Sequence, residues 1–244
     1  MSKIITVWSP VSSSGVTTTA MLLSNLLSKK NKTCLLDLDL NNPDISLYLN
    51  INDVEHNIDN LFPFIEGDNL TEEIFESNLN QINNLAIMQG TRKLDKGPVF
   101  KTENLEPIID MAEKLFDFCV VNVNSAIDNA GTYLALKKAD KILVVLNQNI
   151  LHFKKYIRYI AEIQTITTLE PLVVINKYDR HLDLNLNNIK NSLNLEIYPL
   201  SLVDPKYVID RINNQVSFLN IFTSRKAKRY QKDLEKIKSM VKEG

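Results

Sequence analysis

Short apolar segments alternate along the chain with longer amphipathic ones. The apolar segments are rich in β-branched residues and end in polar or turn-forming residues, which is typical of buried strands. They predict strands at Ile4–Trp8, Thr33–Asp39, Phe116–Asn124, Lys141–Asn147, Leu172–Asp179 and Ile197–Leu200, and a strand with its turn at Leu85–Gly90. Apolar residues spaced three or four apart predict helices at about Thr17–Lys29, Glu103–Leu115, Gly131–Lys138, Phe153–Ile166, Lys206–Asn213 and Ala227–Val241. Shorter helices are predicted at Ile45–Leu49, Ile58–Phe64 and Thr71–Asn78, and an exposed loop at Asp95–Pro98.

Strands that alternate with helices indicate βαβ crossovers. The predicted fold class is therefore α/β, with a doubly wound, mostly parallel sheet flanked by helices. The chain has 244 residues, of which 44% are hydrophobic, and shows no repeat or linker. We expect a single domain spanning residues 1–244.

The expected location is the cytoplasm, or a peripheral position at the inner face of the cell membrane. No apolar run is long enough to span a bilayer, and no signal peptide opens the chain. Cys34 and Cys119 lie in apolar strand-like runs, which favours reduced, buried thiols. Trp8 ends the first strand and is expected in the core. The net charge of -1 predicts no global affinity for nucleic acid.

The charges are unevenly placed along the chain. The segment Asp53–Glu76 is rich in acids and the segment Arg225–Lys242 is rich in bases. A basic amphipathic helix at about 225–242 carries an apolar stripe of Ala227, Tyr230, Leu234, Ile237 and Val241. Three interpretations of this helix stay open: a stripe packed on the sheet, a surface that contacts a membrane or DNA, and a basic surface that docks on the acidic region of another subunit.

The first strand, the small-residue loop after it and the start of the first helix form the geometry of a phosphate site. Unpaired N–H groups and the helix dipole favour an anion at a helix N-terminus. The usual loop reads G-x-x-x-x-G-K-[ST]. This chain keeps Gly15, Thr17 and Thr18, but has Pro10 in place of the first glycine and Val16 in place of the lysine.

Two carboxylates end the second strand. Alternation places Asp37 and Asp39 on the same face, at the edge where parallel α/β sheets bind ligands. Acids at the end of an apolar strand are costly without a role, which favours a site. The alternative is that they cap the turn Asn41-Asn42-Pro43.

Five segments in order resemble one superfamily. They are the loop Val11–Thr18, the D-x-D of Asp37–Asp39, the strand Phe116–Asn122, the strand Ala139–Val145 and the triplet Asn176–Tyr178, with a proline turn at Pro199. Together they resemble the ParA/MinD superfamily of deviant Walker ATPases, over nearly the whole chain. The resemblance implies a phosphate-loop NTPase-like fold and a nucleotide held by Ser13, Ser14, Gly15, Val16, Thr17, Thr18 and Asn176. It further implies Mg²⁺ at Thr17 and Asp37, and a catalytic Asp39 if the protein is active.

Three substitutions separate this chain from that family. Val11 replaces the signature lysine that reaches the partner's nucleotide, Val16 replaces the lysine that holds the β- and γ-phosphates, and Asn122 replaces the acid that helps to hold Mg²⁺ through water. A hydrogen bond from a charged donor contributes about 1.5–3 kcal/mol. Losing both lysines therefore weakens triphosphate binding by roughly 10²–10⁴-fold. We expect a degenerate member, more a pseudo-ATPase than an enzyme, that binds ATP and Mg²⁺ weakly or binds neither.

The loop is nearest in character to the TadZ/CpaE-like proteins, which localise pilus assembly machinery. The resulting hypothesis is a homodimeric bacterial scaffold for localisation or assembly, with protein partners in a larger assembly such as a pilus or secretion system. One alternative is an atypical ATP-binding ParA-type ATPase in plasmid or chromosome partition, and another is a membrane-recruited MinD-like scaffold. The segment Asn176–Asp179 also fits the guanine motif N-K-x-D, but a GTPase without the loop lysine is disfavoured.

Overall fold

The computed structural model describes residues 2–53, 55–93 and 100–243. The predicted loop at Asp95–Pro98 lies outside the described residues.

Within the described residues, eight strands form one sheet in the order β3-β4-β2-β5-β1-β6-β7-β8. The strands are β1 (Lys3–Trp8), β2 (Thr33–Leu38), β3 (Asn80–Ile82), β4 (Leu85–Met88), β5 (Phe118–Val123), β6 (Lys141–Asn147), β7 (Leu172–Asn176) and β8 (Leu200–Ser201). Only β3 pairs antiparallel, with β4; every other described pairing is parallel. The predicted α/β class with a mostly parallel sheet is confirmed.

The helices cover both faces of the sheet. They are α1 (Val16–Ser28), α2 (Ile45–Tyr48), α3 (Phe62–Glu66), α4 (Glu72–Ser77), α5 (Thr102–Leu115), α6 (Ala130–Lys138), α7 (Ile150–Ile166), α8 (Leu186–Ser192), α9 (Lys206–Asn213) and α10 (Ala227–Lys242). Alternate strand residues feed two separate cores. Helices α1, α2, α9 and α10 pack on one core, which we name the α1 face, and α3 to α8 pack on the other, which we name the α5 face.

The strand order creates a crevice between β1 and β5. These two strands are neighbours, and the helices that follow them lie on opposite faces: α1 follows β1 on the α1 face, and α6 follows β5 on the α5 face. In open α/β sheets, ligands bind outside the carboxyl ends of the strands at such a switch point. The topology therefore directs attention to the loops after β1 and β5.

Several predicted boundaries are wrong for local reasons. The single helix predicted at Ile58–Phe64 is a 3₁₀ turn at Ile58–Asn60 followed by α3, which begins beside Pro63. Proline lacks an N–H and therefore suits the first turn of a new helix. The last strand is Leu200–Ser201 rather than Ile197–Leu200, so that it begins after Pro199, which cannot donate to a ladder.

Two elements have no counterpart in the sequence prediction. Strand β3 has the sequence Asn80-Gln81-Ile82, which is too short and polar to show an alternating pattern. Helix α8 buries only Ile189 among its own residues, so its amphipathic signal is weak. Tertiary contacts, rather than local periodicity, place both elements.

The predicted core residues are confirmed. Trp8 is fully buried, and so are Cys34 and Cys119, which are free thiols. Burial raises the pKa of the Cys34 thiol well above its usual value. No helix in the described part of the chain has the length and apolar character needed to cross a membrane.

The apolar stripe of α10 is part of the core of the α1 face. Ala227, Tyr230, Leu234, Ile237 and Val241 are all buried, and α10 contacts α1, α9 and β8. The interpretation in which the stripe packs on the sheet is confirmed. Because the stripe is covered, contact with a membrane or DNA, the second interpretation above, is left to the exposed side of α10. The outer face of α10 remains basic.

Replacing Ile237 by Ala should lower the free energy of unfolding by about 2–5 kcal/mol, because a fully buried side chain leaves a cavity. The matched control is Lys236→Ala, one residue earlier on the exposed face, which should change stability by less than about 0.5 kcal/mol. Urea denaturation of the purified variants measures both values. Equal, small effects would contradict the packing of α10.

Candidate functional site

A cleft of about 490 Å³ opens at the carboxyl edge of the sheet, at the switch point. Its walls come from the loop after β1, the start of α1, the turns after β2 and β5, and the end of β7. Hydroxyl groups are frequent on these walls: Ser9, Ser12, Ser13, Thr17, Thr18, Ser125 and Tyr48. The sheet topology thus produces a polar cleft at the place where the sequence predicts a phosphate site.

The loop after β1 turns into α1 through Gly15. This residue caps the helix with φ 102°, a left-handed conformation that favours glycine. A Cβ atom added to Gly15 would lie 2.3 Å from Nδ2 of Asn176. That amide donates to the carbonyl oxygen of Ser14 at 2.8 Å, so β7 supports the loop from behind. Close approach and positive φ together explain why a glycine occupies this position.

The N-terminus of α1 is open to an anion. Gly15 supplies no side-chain cap, and the first turn contains no acidic residue. The first N–H groups of a helix have no partner within the helix, and the dipole adds partial positive charge there. The turn formed by Val16, Thr17 and Thr18 lies on the cleft wall. The backbone can therefore hold an anion without a cation from a side chain.

Most of the sequence-predicted site residues meet at the cleft. Ser13, Gly15, Val16, Thr17, Thr18, Asp39 and Asn176 all line it. Ser14 and Asp37 are buried and are not among the lining residues. Thr17 and Asp37, the residues that the resemblance implies for Mg²⁺, therefore differ in placement, with one on the cleft wall and the other fully buried.

The Asp37 carboxylate is enclosed by donors from three parts of the chain. Nδ2 of Asn122 donates to Oδ1 at 2.8 Å, the backbone N–H of Ile45 donates to Oδ2 at 3.2 Å, and that of Asp39 donates to Oδ1 at 3.4 Å. Burial raises the pKa of Asp37 to about 7, and the bonds from Asn122 and Ile45 oppose this rise. Asn122, which stands where the resemblance implies a metal-holding acid, is thus a neutral amide that is hydrogen-bonded to Asp37.

Asp39 is the carboxylate that the cleft presents. Its Oδ1 accepts from Nδ2 of Asn124 at 2.9 Å and from the backbone N–H of Asn42 at 3.0 Å. Partial burial raises the pKa of Asp39, while the bond from Asn124 lowers it. Asn124 follows Asn122 by two residues, and this spacing in the sequence signals that both side chains point to the same face of β5.

The charge on the described cleft wall does not favour a polyphosphate. Asp39 and Asp44 contribute two carboxylates, and Lys177 is the single ammonium group among the described lining residues. Val11 and Val16 line the cleft where the resemblance implies lysines. The sequence prediction included Lys177 in a motif but not in the site, and it missed Asp44, whose position depends on the turn after β2.

The arrangement fits a phosphate group of a nucleotide but offers little to a Mg²⁺ ion bound to that nucleotide. The open helix terminus suits a phosphate, and the buried Oδ1 of Asn176, which has no partner among the described residues, is an acceptor for a ligand's N–H. A Mg²⁺ ion on a triphosphate needs anionic oxygens. Asp37 is fully buried and does not line the cleft, both of its oxygens accept hydrogen bonds, and Asn122 is neutral, so neither residue offers an anionic oxygen on the cleft wall.

No protein-family model matches this chain, and no curated protein matches it in sequence. Several solved structures, however, match this chain in fold. A ParA family ATPase from Chlorobium tepidum TLS superimposes with a TM-score of 0.82 at 14% identity, covering 98% of each chain. MinD of Pyrococcus horikoshii OT3, complexed with Mg-ADP, gives 0.78 at 17% identity and covers 97% of this chain and 96% of its own.

A third structure is a plasmid partition protein of Borrelia burgdorferi B31 bound to AMPPNP. It gives a TM-score of 0.75 at 18% identity and covers 98% of this chain and 100% of its own. Identities this low bear on the fold and not on the activity. The described cleft occupies the switch point of that fold. The chain therefore has the fold of the ParA/MinD ATPases.

Proposed function

We propose that this protein is a degenerate ParA/MinD-like protein that acts as a localisation or assembly scaffold and does not hydrolyse ATP. The observation that supports this most directly is the bond between Asn122 and Asp37. In a phosphoryl-transfer enzyme, catalysis depends on positioning and on neutralising the charge of the transferred group. Here the neutral amide of Asn122 occupies a position where the resemblance implies a metal-holding acid, and it donates a hydrogen bond to Asp37.

Val16 supports the same conclusion from the other side of the cleft. An apolar side chain lines the wall at the position that the resemblance assigns to the phosphate-binding lysine. Val11 removes a second cation. Without them, a triphosphate meets Asp39 and Asp44 with only Lys177 to offset the charge. The scaffold role keeps the fold and its surfaces while the catalytic charges are absent.

Nucleotide binding is a separate part of the proposal. The loop amides and Asn176 form a cradle that would hold ATP weakly, or hold no nucleotide under cellular conditions. Ser13, Ser14, Gly15, Val16, Thr17, Thr18 and Asn176 are its proposed residues. Mg²⁺ at Thr17 and Asp37 is the least supported element, because Thr17 lines the cleft while Asp37 is fully buried behind its wall and already accepts hydrogen bonds.

The proposed assembly is a homodimer with further protein partners, in the cytoplasm or at the inner face of the cell membrane. A chain of the MinC:MinD cell division protein complex from Aquifex aeolicus is similar in fold to this chain, with a TM-score of 0.75 at 18% identity, and that protein works in a complex. By analogy in fold and loop character, the role of a TadZ/CpaE-like factor for a pilus or secretion system is proposed here. The outer face of α10 offers a basic surface for DNA or a membrane.

One observation favours a second candidate function. The open terminus of α1 and the left-handed Gly15 keep the geometry of a phosphate cradle. An atypical ATP-binding ParA-type ATPase in plasmid or chromosome partition would retain both features. This candidate differs from the scaffold in requiring nucleotide turnover, with Asp39 as the catalytic residue.

Purified protein with Mg-ATP at neutral pH should release inorganic phosphate no faster than its Asp39→Ala variant. The physical reason is that neither lysine nor the metal-holding acid is present to neutralise the transferred phosphoryl group. Activity above background that disappears in the Asp39→Ala variant would overturn the scaffold proposal and support the ATPase.

Replacing Val16 by Lys should raise ATP affinity by about 10- to 100-fold, because a charge-assisted hydrogen bond of about 1.5–3 kcal/mol is added at the phosphates. Val16→Met is the matched control, since it adds length without charge and should leave affinity unchanged. Thermal shifts over a wide range of Mg-ATP concentration measure both variants. A lysine variant that behaves like the methionine variant would mean that the cradle does not bind phosphate.

Asp37 should make folding stability fall as pH rises. Its folded pKa of about 7 lies above the ordinary 3.8, so the folded state keeps a proton that the unfolded state loses between these values. Relative to Asp37→Asn, the parent protein should lose about 1–3 kcal/mol of unfolding free energy between pH 5 and pH 7. Urea denaturation at both pH values tests this. If the unfolding free energy of both proteins changed equally between pH 5 and pH 7, the pKa of Asp37 would not be raised in the folded state.

A further inference from the structure

Charge is separated along this sequence to an unusual degree. The segment 33–91 contains eleven Asp and Glu residues and no Lys or Arg. The segment 225–242 contains eight Lys and Arg residues and two acids. A net charge of -1 therefore conceals two strongly charged regions of opposite sign.

The fold places helices α3 and α4 of the acidic segment and helix α10 of the basic segment on opposite faces of the sheet. Helices α3 and α4 of the acidic segment pack against α5 on the α5 face. Helix α10 of the basic segment packs against α1 on the α1 face. Because the sheet lies between them, the two regions of one molecule cannot neutralise each other by direct contact.

The acidic surface consists of Glu66, Asp68 and Glu73. All three side chains are exposed, and none forms an ion pair with any residue that the structure describes. Their neighbours Glu72 and Glu76 pair with Lys114 and Lys32. Beside this surface lies a depression of about 300 Å³, whose charged lining residues are Asp68, Asp110 and Lys114. Apolar residues contribute to its lining: Phe64, Ile65, Leu70, Pro107 and Met111.

The basic surface consists of Arg225, Lys228, Arg229 and Lys232. These residues are exposed and lie on the side of α10 and its preceding turn that faces away from the buried stripe. They form no ion pairs within the described part of the chain, whereas Lys236 and Lys238 farther along α10 pair with Asp233 and Glu235. The first half of α10 thus presents cations that have no internal counter-charge.

We propose that the basic surface of one molecule docks on the acidic surface of a second copy of this chain. The charges are complementary, and the long stems of Lys and Arg can cover the apolar floor of the depression while their charged ends remain near carboxylates. The contact joins two different surfaces, so it is heterologous. Repetition of a heterologous contact gives either a closed ring or an open chain of subunits.

This association should be weak and strongly salt-dependent. Exposed ion pairs are individually weak, so several are needed for a measurable complex. The Debye length falls from about 10 Å at 0.1 M ionic strength to about 3 Å at 1 M. The inference does not involve the cleft, so its outcome is independent of nucleotide binding and of the proposed scaffold role.

The test uses two neutralised variants of the full chain in sedimentation velocity. One carries Lys228→Gln, Arg229→Gln and Lys232→Gln, and the other carries Glu66→Gln, Asp68→Asn and Glu73→Gln. The parent protein should form large species at low salt and lose them at 1 M salt. Each variant alone should lose these species, because each retains only one of the two surfaces.

Mixing the two variants in equal amounts distinguishes this contact from a symmetric one. The intact acidic surface of one variant can dock on the intact basic surface of the other, so a complex larger than either variant alone should appear. The matched control carries Lys154→Gln, Lys155→Gln and Arg158→Gln on the exposed side of α7, with the same change of charge, and should assemble like the parent.

Three results would overturn the proposal. They are self-association that does not respond to salt, variants that assemble like the parent, and a mixture that gives no larger complex. If the α10 variant instead loses binding to duplex DNA or to anionic vesicles while self-association is unchanged, the basic surface serves a polyanion and not a second copy. Circular dichroism melting of each variant excludes loss of fold as the cause.

Discussion

The arrangement of the cleft depends on one carboxylate held out of water. Asp37 is the penultimate residue of β2, opposite Asn122 of β5 near the switch point, and is fully buried. A buried charge without partners is strongly unfavourable, so its surroundings must supply donors. Asn122 from β5 and the backbone of Ile45 at the start of α2 do so. These bonds connect β2, β5 and α2, and they fix the turn that brings Asp39 and Asp44 to the cleft wall.

At the cleft, the groups that determine its shape differ from the groups that determine its charge. The features that give it shape are backbone features, namely the left-handed Gly15, the support from Asn176 and the open terminus of α1. Side chains supply the charge, and there the cleft has Val11, Val16 and a neutral Asn122. The shape of the cleft is therefore independent of the side chains at Val11, Val16 and Asn122, because different atoms are responsible for shape and for charge.

The two faces of the sheet present different surfaces to the solvent. The α5 face exposes carboxylates from α3 and α4, and the α1 face exposes the cations of α10. Neither set of charges is needed to form the core, since the buried stripe of α10 and the apolar side chains of α4 do that. Surfaces that are free of a packing role can serve recognition, and the self-association proposed above uses both of them.

The sequence by itself determined those features that local patterns encode. Continuous apolar segments identified the parallel strands, because these strands are buried on both faces of the sheet. The spacing of apolar residues identified the stripe of α10, and Gly15 between a strand and a helix identified the cradle. It did not reveal β3 or α8, whose local signatures are weak. Only the tertiary structure decided which polar groups meet. Asn122 and Asp37 lie 85 positions apart, and their contact depends on the order of the strands. The same holds for the separation of the acidic and basic surfaces, since strand order and crossover direction, not local periodicity, place each helix on its face of the sheet.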